Sequence, residues 1–268
     1  MLEFAGFLAS ILIGITLGLI GAGGSILTVP VLVYLFGVAP VTATAYSLFI
    51  VGLTALIGSA TYMRRSLVSY RTAILFSVPA VVGVYIARAF IIPAIPAEIG
   101  RLGSLVVTKD LAIMVLFAIL MVMASASMIR KGDAADEGAP HTPNIKLILI
   151  EGLVVGVLTG LVGAGGGFLI IPALVVVGGV PMKMAVGTSL LIIAVKSLLG
   201  FTGDLGHQSI EWLFLLGISA FTVGGIFLGT YFSKFIPGEK LKPTFGWFIL
   251  AMGVYMIIRE SLHASWAT

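Results

Sequence analysis

The hydrophobic pattern of this chain is a succession of long apolar runs separated by short polar breaks. An apolar run of about 20 residues is long enough to cross a bilayer as a helix. The pattern predicts ten helical segments, five in each half, and hence an all-α integral membrane protein with several membrane crossings. The expected bounds are 4–20, 26–36, 41–63, 71–92 and 109–130, then 145–162, 167–177, 183–203, 211–235 and 241–262.

The two halves repeat one pattern, 142 residues apart. Gly14–Arg88 aligns with Gly156–Thr230 without a gap, and 19 of the 45 positions from Gly14 to Gly58 are identical. The centre of the match is GAGGSILTVPVLVYLFGV against GAGGGFLIIPALVVVGGV. Such a duplication in an apolar chain is typical of transporters built from internal repeats. The predicted units are a first transmembrane repeat over 1–130, a cytoplasmic linker over 131–144 and a second transmembrane repeat over 145–268.

The composition of the chain excludes several classes of partner and of reaction. Hydrophobic residues make up 59% of the chain and charged residues 10%, so the net charge of +4 belongs to loops and does not indicate a nucleic-acid partner. Cysteine is absent, which excludes thiol chemistry. The three histidines lie outside the predicted spans, and no nucleophile–base pair lies within them. We therefore expect no metal, no cofactor and no enzymatic activity.

Loop charge predicts the topology, because Lys and Arg favour cytoplasmic loops. If the basic Arg64–Arg71 loop is cytoplasmic, ten Lys and Arg face the cytoplasm and three face outward, while Arg88 and Lys196 lie within spans. The equivalent loop of the second half, Asp204–Glu211, carries two acids and no Lys or Arg, and it falls outside. Equivalent loops of opposite charge predict two repeats of inverted topology, with both termini outside.

Inversion requires an odd number of crossings in each half. Three long segments supply them, so the first two segments of each half must enter and leave on the same side. Segment 26–36 has 11 residues, about 16 Å as a helix and roughly half the hydrocarbon thickness. Each half is therefore predicted to open with a re-entrant or broken-helix hairpin, followed by about three transmembrane helices. The hairpins enter from opposite faces, so their tips are expected to approach each other near the midplane.

Glycine clusters mark the hairpin tips, and Pro30 and Pro172 follow them. Proline suits the first turn of a helix, so each returning helix is predicted to start at the tip with unpaired N–H groups and partial positive charge. Glycine lets a ligand approach this backbone, and two tips facing one cavity form an anion site. The alternative is close helix packing alone, the role expected for the GxxxG pairs that start at Gly14 and Gly156. The candidate binding residues at the tips are Gly21, Gly23, Gly24, Ser25, Gly163, Gly165, Gly166 and Gly167.

A polar stripe follows each hairpin. Ser47 and Thr54 are seven residues apart and share a helix face, as do their counterparts Ser189 and Lys196. Lys196 lies 13 residues into its span, about 20 Å along the axis, and a charge at that depth is by default functional. Its alternative is snorkelling to the outer interface. The candidate binding residues here are Ser47, Thr54, Thr188, Ser189 and Lys196, although Thr188, like Thr42, Thr44 and Ser197, can instead bond its own backbone.

Two further charged residues fall within spans. Arg88 lies four residues from the outer end of its span, so we expect it to snorkel. Glu151 is close to the inner surface and is a candidate for proton coupling.

The paired Gly-x-Gly-Gly-[Gly/Ser]…Pro segments, each followed by an Ala-x-x-x-Ser-Leu helix, resemble the sulfite exporter TauE/SafE family, also called the toluene-sulfonate uptake permease family. The resemblance covers about residues 4–260. It implies a secondary transporter for small sulfur-containing anions such as sulfite, sulfonates or sulfoacetate. By the same resemblance, Gly21–Ser25 and Gly163–Gly167 match the hairpin segments of the family, and Ser47 and Ser189 match its following helices. Lys196 has no basic counterpart, since Thr54 takes that place, and it is assigned on physical grounds alone.

Two function classes follow from the sequence. The first is an alternating-access anion transporter in the cytoplasmic (inner) membrane, with the lipid bilayer and a sulfur-containing anion as its partners. The second is an anion channel or membrane sensor that uses the same cavity without alternating access. The sequence leaves open a homodimer, the identity of the anion, the direction of transport and any coupling ion.

Overall fold

The computed structural model describes residues 2–102, 105–129, 145–176, 178–207, 209–233, 235 and 238–266. The predicted linker, residues 131–144, lies outside the described residues. All ten predicted segments are confirmed as helical, with ends shifted by a few residues. The first half contains α1 Leu2–Ile20, a 3-10 helix Ala22–Leu27, α2 Thr28–Tyr34, α3 Pro40–Arg64, α4 Tyr70–Ile86, a π-helical turn Ala87–Ile91, α5 Ile92–Ala94 and α6 Lys109–Ile129. The second half contains α7 Ile145–Val162, α8 Gly167–Val176, α9 Met182–Phe201, a 3-10 turn Thr202–Asp204, α10 Trp212–Phe232 and α11 Gly238–Trp266.

A small β-hairpin between α5 and α6 corrects the all-α prediction. Strands β1 Glu98–Leu102 and β2 Leu105–Thr108 pair antiparallel, with Glu98 opposite Thr108 and Leu102 opposite Leu105. The β-branched pair Val106 and Val107 favours a strand. The strands have five and four residues, which is too short to stand out from a loop by periodicity.

Six helices within the described residues are long and apolar enough to cross a membrane, three from each half. The chain is therefore a multi-pass membrane protein. In the second half the three include Ile145–Val162, which we expected to be the first arm of a hairpin and not a full crossing. The first hairpin contributes the shorter apolar helices Ala5–Ile20 and Gly24–Tyr34, in line with the prediction for that half.

Helices α3 and α9 occupy the centre of the bundle. They pack against each other, and two-thirds of the apolar stretch of each is buried. Their inward faces carry fully buried aliphatic side chains such as Ile50 and Val51 on α3 and Ile192 and Ile193 on α9. The helices that follow the two glycine clusters thus form the core on which the rest of the bundle packs.

The first helix of each half packs on a helix of the other half. Helix α1 lies along α10, and α7 lies along α4. A Cβ atom on Gly14 would overlap the carbonyl oxygen of Thr222, and one on Gly156 would overlap that of Ala80. Ala80 and Thr222 are themselves 142 residues apart. The packing role predicted for Gly14 and Gly156 is confirmed.

The starts of α4 and α10 are held by the central helices through equivalent hydrogen bonds. The backbone N–H of Ser69, which precedes α4, donates to Thr188 Oγ1 on α9 at 2.9 Å. The backbone N–H of Glu211, which precedes α10, donates to Tyr46 Oη on α3 at 2.9 Å. Each bond satisfies an amide that a helix start leaves unpaired, and each joins one half to the other.

Candidate functional site

The second hairpin turns at three glycines in the left-handed region. Gly163, Gly165 and Gly166 have φ of 73°, 65° and 72°, between the end of α7 and the start of α8 at Gly167. A residue with a Cβ pays about 1–2 kcal/mol for such a conformation. The cluster is therefore a true break in the helical backbone, as predicted.

The first hairpin turns differently. Only Gly21 has a positive φ, 73°, and the chain then continues as the 3-10 helix. Gly24 lies in this 3-10 helix without a positive φ, so it does not use glycine's conformational freedom. It needs glycine for space, because its Cβ would lie 2.6 Å from the backbone carbon of Thr16 on α1.

Pro30 lies in the first turn of its helix, as predicted, but Pro172 lies further along its helix than predicted. Pro30 is the third residue of α2, still within its first turn, but Pro172 is the sixth residue of α8. The prediction for Pro172 is wrong because α8 begins at Gly167, directly after the left-handed glycines. At its sixth position the missing N–H leaves a carbonyl of the preceding turn without its helical partner.

The two hairpin tips lie against each other, as expected. A Cβ on Gly165 would lie 3.0 Å from Ser25 Cβ and 2.7 Å from Val51 Cγ1. Each tip also touches the central helix of the other half. A Cβ on Gly21 would lie 2.7 Å from Val186 Cγ1 on α9, and one on Gly163 would lie 2.5 Å from Thr44 Cβ on α3. The irregular backbone is thus enclosed by protein, the condition under which it is tolerated at membrane depth.

Lys196 is completely buried beside the second tip. Its Nζ donates to Thr159 Oγ1 at 2.6 Å and lies 3.3 Å from the position of a Cβ on Gly166. Thr159 donates in turn to the carbonyl oxygen of Gly156 at 3.3 Å. The snorkelling alternative is therefore excluded. Within the described part of the chain no carboxylate pairs with this ammonium, which has three donor hydrogens and one partner oxygen.

The predicted hydroxyls divide into satisfied and unsatisfied groups. Thr54 Oγ1 bonds Ile50 O at 2.6 Å and Thr222 Oγ1 at 2.8 Å, and Ser189 donates to Val186 O at 2.8 Å. Thr188 receives the Ser69 amide. The hydrogen bonds of Thr54 and Thr188 join different elements of the bundle, whereas that of Ser189 stays within α9. Of the predicted stripe, only Ser47 is buried without a hydrogen-bond partner.

Two more buried hydroxyls lack partners, those of Thr28 and Ser197. Thr28 is not among the residues that the sequence pattern selects. Ser197 is one of the hydroxyls that can bond their own backbone, but it does not do so. Nothing in the local sequence distinguishes these positions, because whether a hydroxyl finds a carbonyl depends on its rotamer and its neighbours. Glu151 also has a buried Oε2 without a partner.

Arg88 does not snorkel, contrary to the prediction. It is 1% exposed and lies in the π-helical turn, with Nε 3.2 Å from Asp204 Oδ2. Its Nη1 donates to Thr44 Oγ1 at 3.1 Å. Asp204 is 2% exposed, whereas the sequence pattern had placed it in an outer loop. The backbone continues as helix to Ala94, so the guanidinium lies deeper than a count from residue 92 suggested.

A cavity of about 710 Å³ opens beside the start of α3. Its walls combine aromatic and polar side chains from both halves, among them Phe7, Phe36, Tyr46, His207, Glu211 and Phe214. The described lining residues do not include the glycine tips or Lys196. The cavity is therefore separate from the candidate binding residues.

A bundle of membrane-length helices with enclosed non-helical segments beside a buried cation is the architecture of an integral membrane transporter. The family described as "Sulfite exporter TauE/SafE" matches residues 6–256, and the chain belongs to this family. Its relatives include two proteins called "Probable membrane transporter protein" from Xylella fastidiosa. The one from strain Temecula1 is 31% identical over 96% of this chain and 94% of the relative, and the one from strain 9a5c is 29% identical over the same shares. "Probable membrane transporter protein YunE" of Bacillus subtilis is 28% identical over 79% of this chain and 83% of the relative. No solved structure matches the chain.

Proposed function

We propose that this membrane transporter moves small sulfur-containing anions, of the sulfite, sulfonate or sulfoacetate type, across the cytoplasmic membrane by alternating access. The observation that supports an anionic substrate is Lys196, a buried cation at a hairpin tip without a carboxylate partner in the described chain. Burying an unpaired charge is costly, and an anionic substrate would supply the missing partner. The family description, sulfite exporter, supports the sulfur class.

The binding site would combine the ammonium with the backbone at the second tip. Gly166 brings the chain close to Nζ, and the amides at the start of α8 add partial positive charge. The unpartnered hydroxyl of Ser47 is available as a further donor. Gly21, Gly23, Gly24 and Ser25 would form the facing wall, since the first tip touches the second at Gly165.

Alternating access is supported by the equivalence of contacts between halves. The packing of α1 on α10 matches that of α7 on α4, and the Ser69–Thr188 bond matches Glu211–Tyr46. Two repeats of inverted topology that meet at one site can exchange conformations and thereby open the site to either side.

Binding is tested by the melting temperature of the purified protein, because a ligand that binds the native state stabilises it. Sulfite, methanesulfonate and sulfoacetate are compared with chloride at matched ionic strength. At least one should raise the melting temperature of the parent well above chloride. No shift with any of the three would contradict the sulfur-anion class.

Transport is tested by counterflow in proteoliposomes with the anion that binds. A carrier shows exchange stimulated by the same anion on the far side, whereas a channel does not. Flux without stimulation would replace the alternating-access proposal with the channel alternative.

A further inference from the structure

A second buried cation lies near Lys196. Arg88 projects from the π-helical turn that follows α4, and it pairs with Asp204 in the 3-10 turn that follows α9, in the other half of the chain. Both side chains are at most 2% exposed. Ionisable groups within a membrane protein tend to mark pathways of substrates or ions, and π-helical turns occur frequently at functional sites.

The guanidinium is incompletely satisfied. Its Nη1 donates to Thr44 Oγ1, while Nη2 is buried without a hydrogen-bond partner. The Nε–Oδ2 separation of 3.2 Å makes an ion pair but not a well-aligned hydrogen bond. Asp204 therefore neutralises the charge of Arg88 without occupying the pair of N–H donors with which arginine forms bidentate hydrogen bonds to oxyanions.

Arg88 and Lys196 lie along the same face of α9. Lys196 and Gly200 are spaced at i and i+4 on α9 and so share a face, and Gly203 follows on the same side in the 3-10 turn that continues the helix. A Cβ on Gly203 would lie 3.0 Å from Arg88 Cβ, and one on Gly200 would lie 2.7 Å from Val84 Cγ1 on α4. Two helical turns, about 10 Å, separate Lys196 from the level of Arg88. The second tip connects them, since Gly166 is beside Lys196 and Gly163 is beside Thr44, the partner of Arg88.

The equivalent junction in the other half is uncharged. Thr230 and Tyr62 occupy the positions equivalent to Arg88 and Asp204. Thr230 donates to Ile226 O of its own helix at 2.8 Å, and Tyr62 donates to Gly18 O at 3.3 Å. The same helix junction thus closes without an ion pair. A buried ion pair adds little net stability over an uncharged pair, so stability alone does not account for these charges.

We propose that Arg88 is a second binding group for the transported oxyanion, and that Asp204 is an internal counter-ion which the oxyanion displaces. As the anion reaches the guanidinium, it takes the Nη donors and replaces the carboxylate, about two helical turns from Lys196. This inference rests on the proposed function for the class of anion transported. The oxyanion chemistry of Arg88 can be tested separately.

The test uses Asp204→Asn in the purified full-length protein with inorganic sulfate as the probe. Removing the carboxylate leaves Arg88 buried without a counter-ion, so sulfate should stabilise this variant more than it stabilises the parent. At saturating sulfate we expect an additional rise in melting temperature of at least about 5 °C over chloride at matched ionic strength. The double variant Arg88→Gln/Asp204→Asn, which has no charge at the junction, should lose that additional rise.

Several outcomes would overturn the proposal. Equal responses of Asp204→Asn and the double variant to sulfate would show that Arg88 does not bind the anion. If Asp204→Asn cannot be purified in chloride, its recovery when sulfate is present during extraction supports the proposal. Failure to recover it in sulfate, while the double variant is stable, shows that the pair is structural only. Tyr62→Phe, at the position equivalent to Asp204, is the matched control and should respond to sulfate like the parent.

The two proposals fail separately. A parent protein that ignores sulfite, methanesulfonate and sulfoacetate contradicts the proposed function, whatever Asp204→Asn does. A parent that binds one of them, together with a sulfate-insensitive Asp204→Asn, contradicts only the role of Arg88.

Discussion

At the scale of single residues, Lys196 on α9 and Gly166 at the second hairpin tip contribute different properties to the candidate site. Lys196 supplies charge, and Gly166 supplies both a left-handed turn and room for the ammonium. The turn and the charge are 30 residues apart in the chain, yet the fold places one against the other. Substitutions that change one property at a time distinguish them.

Lys196→Met keeps the length of the side chain and removes its charge. We expect it to lower the affinity for the sulfur-containing anion by at least about tenfold, equivalent to about 1.4 kcal/mol, because neutral donors replace a full charge poorly. Isothermal titration or the melting-temperature shift measures the change. Lys183→Met is the control, since this lysine is exposed in the first turn of α9 and should bind like the parent. Equal affinities of the two variants would remove Lys196 from the site.

Gly166→Ala tests space at the turn. Its new Cβ would overlap Thr159 Cγ2 and crowd Lys196 Nζ, in addition to the conformational cost of φ at 72°. Gly37→Ala is the matched control because Gly37 has φ of 68° but nothing within 4 Å of a Cβ. In each variant the strained backbone should lower the free energy of unfolding by about 1–2 kcal/mol. Only Gly166→Ala should also lose anion binding. If both variants bind the anion normally, the cluster is a packing element and not part of the site.

The depth of Lys196 could be predicted from the sequence because it follows from counting residues along one uninterrupted helix. Arg88 could not be placed in the same way. Its span continues through a π-helical turn into α5, and its partner Asp204 is 116 residues away. Likewise, the sequence gives no reason to separate Ser47 from Thr54, since both are hydroxyls on one helix face. Only the packing of α10 shows that Thr54 has a hydrogen-bond partner there, Thr222.

At the scale of elements, the bundle depends on bare backbone at the crossings of α1 with α10 and of α7 with α4. Two adjacent glycines of α10 show that the need for a residue without a side chain is confined to the positions in the crossing. A Cβ on Gly225 would overlap the carbonyl oxygen of Ile11, whereas one on Gly224 meets nothing within 4 Å. The repeat itself and the glycine breaks could be read from the sequence, but the short β-hairpin and the helix that each glycine touches could not.

Gly225→Ala and Gly224→Ala therefore form a matched pair. The first should lower the melting temperature in detergent by several degrees, since separating the helices costs about 1–3 kcal/mol. The second should leave the melting temperature unchanged or raise it, because alanine is the better helix former by up to about 1 kcal/mol. Similar melting temperatures for both would show that α1 and α10 are not tightly packed in the folded protein.

At the scale of the whole molecule, the inverted arrangement makes a prediction about sidedness. Ser66 and His207 lie in equivalent loops of the two repeats, and both are exposed. The chain has no cysteine of its own, so a cysteine introduced at either position is its single thiol. In intact cells an impermeant thiol reagent should label His207→Cys and not Ser66→Cys, and after lysis it should label both. Labelling of both variants in intact cells would contradict the opposite orientation of the repeats.

The crossing of α1 with α10 also has a consequence for biosynthesis. Roughly 190 residues separate the end of α1 at Ile20 from the start of α10 at Trp212, which at 5–20 residues per second is about 10–40 s of translation. During that interval α1 has left the ribosome while the backbone it packs against does not yet exist. The glycine-lined surface of α1 must meanwhile be covered by lipid or by the insertion machinery. If translation stops before α10 is made, that surface never meets its partner helix. Incomplete chains of this transporter would therefore carry an unpaired first helix as a recognisable mark for membrane proteases.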